Sequence, residues 1–295
     1  MRKTFFLTLF VLAVAGCSAR PASGITENAP VTFSADDESF VSETLDDTSL
    51  TSLPLGERVL RIGRMFLGKP YVEKTLEVNA PAEQLVVNTQ GVDCTTFVDQ
   101  VLALSLASME EGADFGTFCA QLRALRYHNG KVDGYASRCH YFLDLVHNAS
   151  LAGKPLLVPV TDENVRTRDV AFSFMSTHSD AYVQLRESPA VVDSIRAAEQ
   201  ALGTLRMTYF PKEASAAFTQ SSSPIRDGDI LALVTTAKGL DVSHLGIAFW
   251  LDGKLHMLHA SSTAHKVIAD ERTLADYLQG RKSCPGIVVY RVASR

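Results

Sequence analysis

Cys94 sits in the turn Gly91-Val92-Asp93-Cys94-Thr95-Thr96, directly ahead of a long apolar stretch that ends near Met109. A cysteine so placed can act as a nucleophile. The first turn of a helix offers unpaired backbone N–H groups and the positive end of the dipole, and both favour a thiolate over a thiol. A thiolate attacks carbonyl carbon, so the chemistry implied is acyl transfer. The competing possibility is structural, because free cysteine is among the most buried residue types and packs as a small hydrophobe. The helix is read from two adjacent apolar rows: Phe97, Val101 and Leu104 beside Val98, Leu102, Leu106 and Met109. They form a wide arc at helical spacing that belongs in a core.

The other elements fall into order around that helix. Leu55 to Leu67 reads as an amphipathic helix stopped by Gly68 and Pro70, with Tyr71 just beyond, and Leu85 to Asn88 as a short strand before the cysteine turn. From Gly112 to Pro224 helical signals dominate. Among them Ser188-Pro189 supplies an N-cap and first helical position ahead of Val191, Ile195, Ala198 and Leu202. After Pro224 the pattern turns to strand: Ile230 to Val234, Ser243 to Trp250, a turn at Asp252-Gly253, Lys254 to His259, Lys266 to Ile268 and Gly286 to Tyr290. A short helix is expected around Leu274 to Leu278. A helix followed by an antiparallel meander predicts an α+β fold with the cysteine helix packed on the sheet.

Arg2 and Lys3, an apolar run from Phe5 to Val14, and Ala15-Gly16-Cys17 make an export signal too short to span a bilayer. Val14-Ala15-Gly16-Cys17 resembles the lipobox of bacterial lipoproteins, which implies a lipidated Cys17 and a membrane anchor without a spanning helix. An ordinary secretory signal cut nearby is the alternative. Ser18 after the cysteine resembles sorting to the outer membrane of a Gram-negative cell, facing the periplasm. The expected organisation is a signal peptide over 1–17, a flexible polar tether over 18–50 and a catalytic domain over 51–295 with a helical insertion at about 112–224. A composition of 46% hydrophobic residues suits a folded protein, and a net charge of −5 gives no basic footprint for nucleic acid. Besides Cys17 and Cys94, the chain holds Cys119, Cys139 and Cys284, which permit at most one disulfide whose pairing the spacings do not choose.

Three blocks carry a family resemblance: Gly68-Lys69-Pro70-Tyr71; Asp93-Cys94-Thr95-Thr96-Phe97-Val98; and His244-Leu245-Gly246-Ile247 followed by His259-Ala260-Ser261-Ser262. In this order, behind an export signal, they resemble the NlpC/P60 superfamily of papain-like cell-wall cysteine hydrolases. The Asp-Cys-Thr-Thr-Phe form, Arg138-Cys139-His140-Tyr141-Phe142 and the long helical middle are similar to the DUF1460 branch of N-acetylmuramoyl-L-alanine amidases. The resemblance implies Cys94 as nucleophile, His244 as general base and His259 as the group orienting it, with no cofactor or metal. It further implies that Tyr71 and the Cys94 N–H hold the oxyanion, and that muropeptides are the substrates of what is expected to be a monomer. His256 competes with His259 for the third position. Side chains alternate along a strand, so residues three apart face opposite sides and only one reaches His244.

Outside those blocks, Arg138, His140 and Tyr141 are candidates for holding substrate, arginine suiting a stem-peptide carboxylate, and Met175 to His178 for lining the site. Asp241 is either a group near His244 or a solvated loop residue, while His128, His147 and His265 read as surface residues. Three alternatives stay open. The same triad serves a γ-D-glutamyl-diamino-acid endopeptidase. A peptidoglycan-binding lipoprotein can use the same fold without cutting, although Cys94 and His244 are both present. A zinc site at His244, His256 and His259 is disfavoured by strand parity and by the lack of His-Glu-x-x-His. With no SH3-like or LysM-like module recognised, released soluble muropeptides are expected as substrate before intact sacculus.

Overall fold

The computed structural model describes residues 30–77, 83–151 and 156–293. Cys17 lies outside these residues, as does the tether up to residue 29. In chain order the elements are β1 (Val31–Thr32), α1 (Ala35–Asp46), α2 (Leu55–Met65), β2 (Leu85–Val86), α3 (Cys94–Ala107), α4 (Phe115–Arg126) and α5 (Phe142–Leu151). They continue with β3 (Leu157–Pro159), β4 (Arg166–Ala171), α6 (Phe174–Thr177), α7 (Val183–Arg186), α8 (Pro189–Leu202) and β5 (Thr204–Pro211). The last are β6 (Ile230–Val234), β7 (Val242–Leu251), β8 (Lys254–Ser261), β9 (Lys266–Ala269), α9 (Leu274–Gln279) and β10 (Gly286–Val292).

An antiparallel eight-stranded sheet runs β4-β5-β10-β6-β7-β8-β9, with β3 also paired to β10. Strand alternation explains how β6 can be apolar throughout. Ile230, Ala232 and Val234 join the core shared with α2 and α3, whereas Leu231 and Leu233 join a second core under α9. Both faces of the sheet are therefore covered. On the first face Phe97, Val101 and Leu102 of α3 are fully buried, each contributing about 1.5–3 kcal/mol by leaving water. At Gly63 of α2 a Cβ atom would come 2.9 Å from the methyl groups of Ile247 and Leu258. Only a small residue there lets α2 lie against β7 and β8.

Two expectations are corrected. Part of the segment read as tether is folded: Ser34 and Asp37 form a capping box that starts α1, which packs against α3 and α4 and buries Val41. The Asp37 carboxylate also accepts the Thr89 N–H at 2.6 Å, a long-range bond that local composition does not reveal. The middle of the chain is not helical alone. β4 and β5 pair along Arg166–Ala171 and Thr204–Pro211 and extend the sheet at its edge. The polar, half-exposed pattern of β4, Arg-Thr-Arg-Asp-Val-Ala, is what an edge strand wears, and it hides from a search for apolar alternation. All four described cysteines, Cys94, Cys119, Cys139 and Cys284, are free thiols, so the permitted bridge is not formed.

Candidate active site

Cys94 is the first residue of α3 because Asp93 caps it. The Asp93 carboxylate accepts the Thr96 N–H at 2.8 Å, and the Thr96 hydroxyl accepts the Asp93 N–H at 2.9 Å. The N–H of Cys94 therefore has no intrahelical partner and points out of the helix start. Alongside, the chain through Gly68 to Val72 is tied in by bonds from Val92 N–H to the Pro70 carbonyl and from Val72 N–H to the Val92 carbonyl. Tyr71 N–H donates to the His265 carbonyl at 3.0 Å. These bonds set Tyr71 beside the cysteine turn. Burial, with Cys94 and Asp93 nearby, pushes its phenol up to about 12, so it remains a donor at neutral pH.

On the sheet, His244 Nε2 lies 2.7 Å from His259 Nδ1, and His259 Nε2 lies 3.3 Å from the Asp270 carboxylate. Asp270 is in turn held by Arg272 at 2.6 Å. Burial alone would raise the Asp270 carboxyl, but the hydrogen bonds and charge of Arg272 outweigh it and keep it below its ordinary value. Tyr277 packs against both imidazoles and is itself covered by the guanidinium groups of Arg272 and Arg281.

The Cys94 thiol hydrogen-bonds with the backbone of Leu245, the residue after His244, which joins the helix start to β7. The charge states differ from the thiolate expected at a helix start. Although the residue keeps partial access to solvent, dense protein around the sulfur pushes the thiol up to about 11, with Asp93 adding to the effect. Burial lowers His244 to about 3, helped by His259 and Arg281. Both shifts favour the neutral forms, thiol at Cys94 and imidazole at His244.

His256 and His259 do face opposite ways. His256 stacks on Phe249 with ring centroids 5.3 Å apart and bonds to the Asp270 carbonyl, away from His244. Asp241 is neither a solvated loop residue nor a partner of His244. It is buried, accepts the Leu143 and Val242 N–H groups, and burial pushes it up to about 6.

A cavity of about 250 Å³ opens beside the cysteine turn. Asp93 and Thr95 line one side, and Glu77, Arg138, His140 and Met175 line others. Asp99 Oδ1 and Glu77 Oε2, both buried, have no hydrogen-bond partner among the described residues. Arg138, read as a carboxylate ligand, is instead occupied. It bonds Glu83 at 2.5 Å, Glu77 at 3.0 Å and the Leu76 carbonyl at 2.9 Å. Tyr141 is a brace outside this cavity, donating to Glu199 at 2.6 Å and accepting the Met175 N–H. His178 is exposed, stacks on Phe174 and does not line the cavity. His140 is held by the Tyr135 carbonyl at 2.8 Å, and burial lowers it to about 3.

Sequence reasoning missed Asp270, Arg272 and Tyr277. A usable signal existed for the first of these. Extending the β8–β9 hairpin one residue past Ala269, which pairs with Leu258, brings Asp270 diagonal to His259.

The first 18 residues match the prokaryotic membrane lipoprotein lipid attachment site, and no helix among the described residues is long and apolar enough to cross a membrane. Among curated proteins none matches this chain. An N-acetylmuramoyl-L-alanine amidase from Bacteroides uniformis is 38% identical with a TM-score of 0.74, covering 81% of this chain and 99% of its own. A Bacteroides fragilis protein bearing the name xylanase is 39% identical with a TM-score of 0.71, covering 79% of this chain and 100% of its own. A Legionella pneumophila protein of family DUF1460 shares the fold at 23% identity and a TM-score of 0.68, over 88% of this chain and 95% of its own. These likenesses support a hydrolase with a peptidoglycan amidase-like role, exported and held at a membrane by a lipid. The match to the AmiA-like, N-acetylmuramoyl-L-alanine amidase-like model spans residues 61–287, and this chain belongs to that family.

Proposed function

We propose that the protein is an N-acetylmuramoyl-L-alanine amidase working through a Cys94 nucleophile, on the papain-like NlpC/P60 plan. The observation that carries this reading is the bonded series His244, His259, Asp270, because it fixes one tautomer throughout. An ionised Asp270 only accepts, so His259 Nε2 carries a proton and its Nδ1 is a lone pair. His244 Nε2 must then donate to His259. The remaining nitrogen, His244 Nδ1, is left as a base for the Cys94 proton.

As the sulfur attacks the lactyl carbonyl of the muramoyl group, the S–C bond forms and the thiol proton passes to His244. The oxyanion is held by the Cys94 N–H and the Tyr71 hydroxyl. Collapse breaks the C–N bond to L-alanine, whose amine leaves with the proton from His244. Water, deprotonated by the same imidazole, then releases the muramic acid and restores the thiol. Burial, with His259 and Arg281, disfavours a resting imidazolium at His244 and so leaves its Nδ1 lone pair free. Asp99 Oδ1 and Glu77 Oε2 offer acceptors for N–H and O–H groups of the substrate.

The lipid at Cys17 would hold this chemistry at the periplasmic face of the outer membrane, acting on released muropeptides. The test is incubation with a defined N-acetylmuramoyl tripeptide, with products identified by mass and purified sacculi run in parallel. Free sugar acid plus a peptide beginning with L-alanine is expected. A fragment beginning at the diamino acid would replace the amidase by an endopeptidase, and efficient peptide release from sacculi would remove the preference for soluble fragments.

A further inference from the structure

At the edge of the cavity, which Cys139 also lines, three residues from separate stretches converge. The ligand atoms of His128, Cys139 and Asp144 all lie within 4.8 Å of one another, the one such group of metal-binding types among the described residues. The backbone builds this convergence. Tyr127 and Arg138 form an isolated antiparallel bridge, and Cys139 N–H donates to the Arg126 carbonyl at 2.8 Å, which brings His128 next to Cys139. Asp144 comes from the first turn of α5. Its side chain is 8% exposed and that of His128 is 35% exposed, so the carboxylate forms the floor and the imidazole the mouth.

We infer that His128, Cys139 and Asp144 form a site for a divalent transition-metal ion of the zinc class. A hydrogen bond of 2.8 Å between His128 and Asp144 accounts for two members of the cluster but gives the free thiol of Cys139 nothing to do there. A cation uses all three. Tetrahedral bonds at ordinary Zn–N, Zn–O and Zn–S lengths separate the ligand atoms by about 3.3–3.6 Å, inside the observed spread. The His128–Asp144 contact would have to widen by about 0.5 Å to admit the ion. Sulfur and imidazole select zinc or cobalt over calcium and magnesium, which prefer oxygen throughout. The fourth position falls at the solvent side, beside His128.

The site does not depend on which bond the enzyme cuts. Its consequence is mechanical: one ion would cross-link residues 128, 139 and 144 and so clamp the segment that presents Tyr135, Arg138 and His140 to the cavity.

The test is cobalt titration of the full chain, purified in detergent and stripped with chelator. One equivalent of Co²⁺ should produce a thiolate-to-metal charge-transfer band in the near ultraviolet, which Zn²⁺ then abolishes. Cys94→Ser should retain the band and Cys139→Ser should lose it. His128→Ala, at a part-exposed ring, guards against misfolding of the cysteine variant and should bind Co²⁺ more than about tenfold more weakly. Absence of the band in the wild-type protein, its persistence in Cys139→Ser or its loss in Cys94→Ser would overturn the site. Zn²⁺ should also slow amide hydrogen exchange across residues 127–144, and unchanged exchange with metal bound would overturn the clamp.

Discussion

Replacing Asp270 by asparagine keeps the shape of the side chain and removes its charge. The proton positions of the histidine pair then have no fixed end. Asparagine can turn its amide N–H toward His259 Nε2, and each histidine then flips its tautomer in turn. His244 Nδ1 would then carry the proton and face Cys94 as a donor, with no lone pair for the thiol. The loss is bounded from two sides. A wrong tautomer in a hydrolase whose acid touches the base directly costs about 10⁴-fold. Here Asp270 acts through an intervening imidazole over 3.3 Å, and the asparagine oxygen can still accept, so the milder penalty for an indirect partner applies. The expected fall in kcat/KM is about 10²-fold, or about 2.7 kcal/mol of transition-state stabilisation, with KM little changed. The assay is release of L-alanyl peptide from a defined muropeptide, with the melting temperature measured alongside because Arg272 also loses its anion. A fall smaller than about threefold in a protein that melts normally would refute the tautomer argument.

Three further outcomes follow from the same geometry. Alkylation of Cys94, followed on its own peptide by mass, should rise about tenfold per pH unit above about pH 7 and level near 11, since the thiol is raised and its thiolate fraction at neutrality is small. A plateau already reached at about pH 7 would mean a resting thiolate–imidazolium pair instead. Tyr71→Phe should lower kcat by about 10²-fold with KM nearly unchanged, as loss of one oxyanion donor does, and near-normal turnover would make it a core tyrosine only. Arg138→Ala should destabilise the fold by about 3–5 kcal/mol in thermal or denaturant unfolding, because Glu77 and Glu83 would be left buried without their cation. A stable variant with only a raised KM would restore the carboxylate-binding role.

Much of the architecture was legible because it follows local rules. The start of α3 follows from the polar turn ahead of its apolar rows, and the run β6 to β8 from short apolar stretches and the Asp252-Gly253 turn. That His256 and His259 face opposite sides follows from strand parity, whereas the preference for His259 came from the His-Ala-Ser-Ser resemblance. What stayed hidden depends on partners far away in sequence. Arg138 reads as an available cation until folding brings Glu83, 55 residues away, against it. Helix α1 looks like tether because its only fully buried apolar residue is Val41 and its Asp37 is satisfied by Thr89. The balance at Cys94 is hidden for a related reason: the helix start favours the anion, but the desolvation that opposes it comes from the surrounding fold.

The central claim is a covalent bond between Cys94 and the muramoyl group. It is tested most directly by quenching the wild-type enzyme during turnover of an N-acetylmuramoyl tripeptide and measuring the mass of the peptide that contains Cys94. An adduct with the mass of the N-acetylmuramoyl acyl group, absent from Cys94→Ala, is the predicted result. An adduct that includes L-alanine and glutamate, or cleavage that survives in Cys94→Ala, would contradict it.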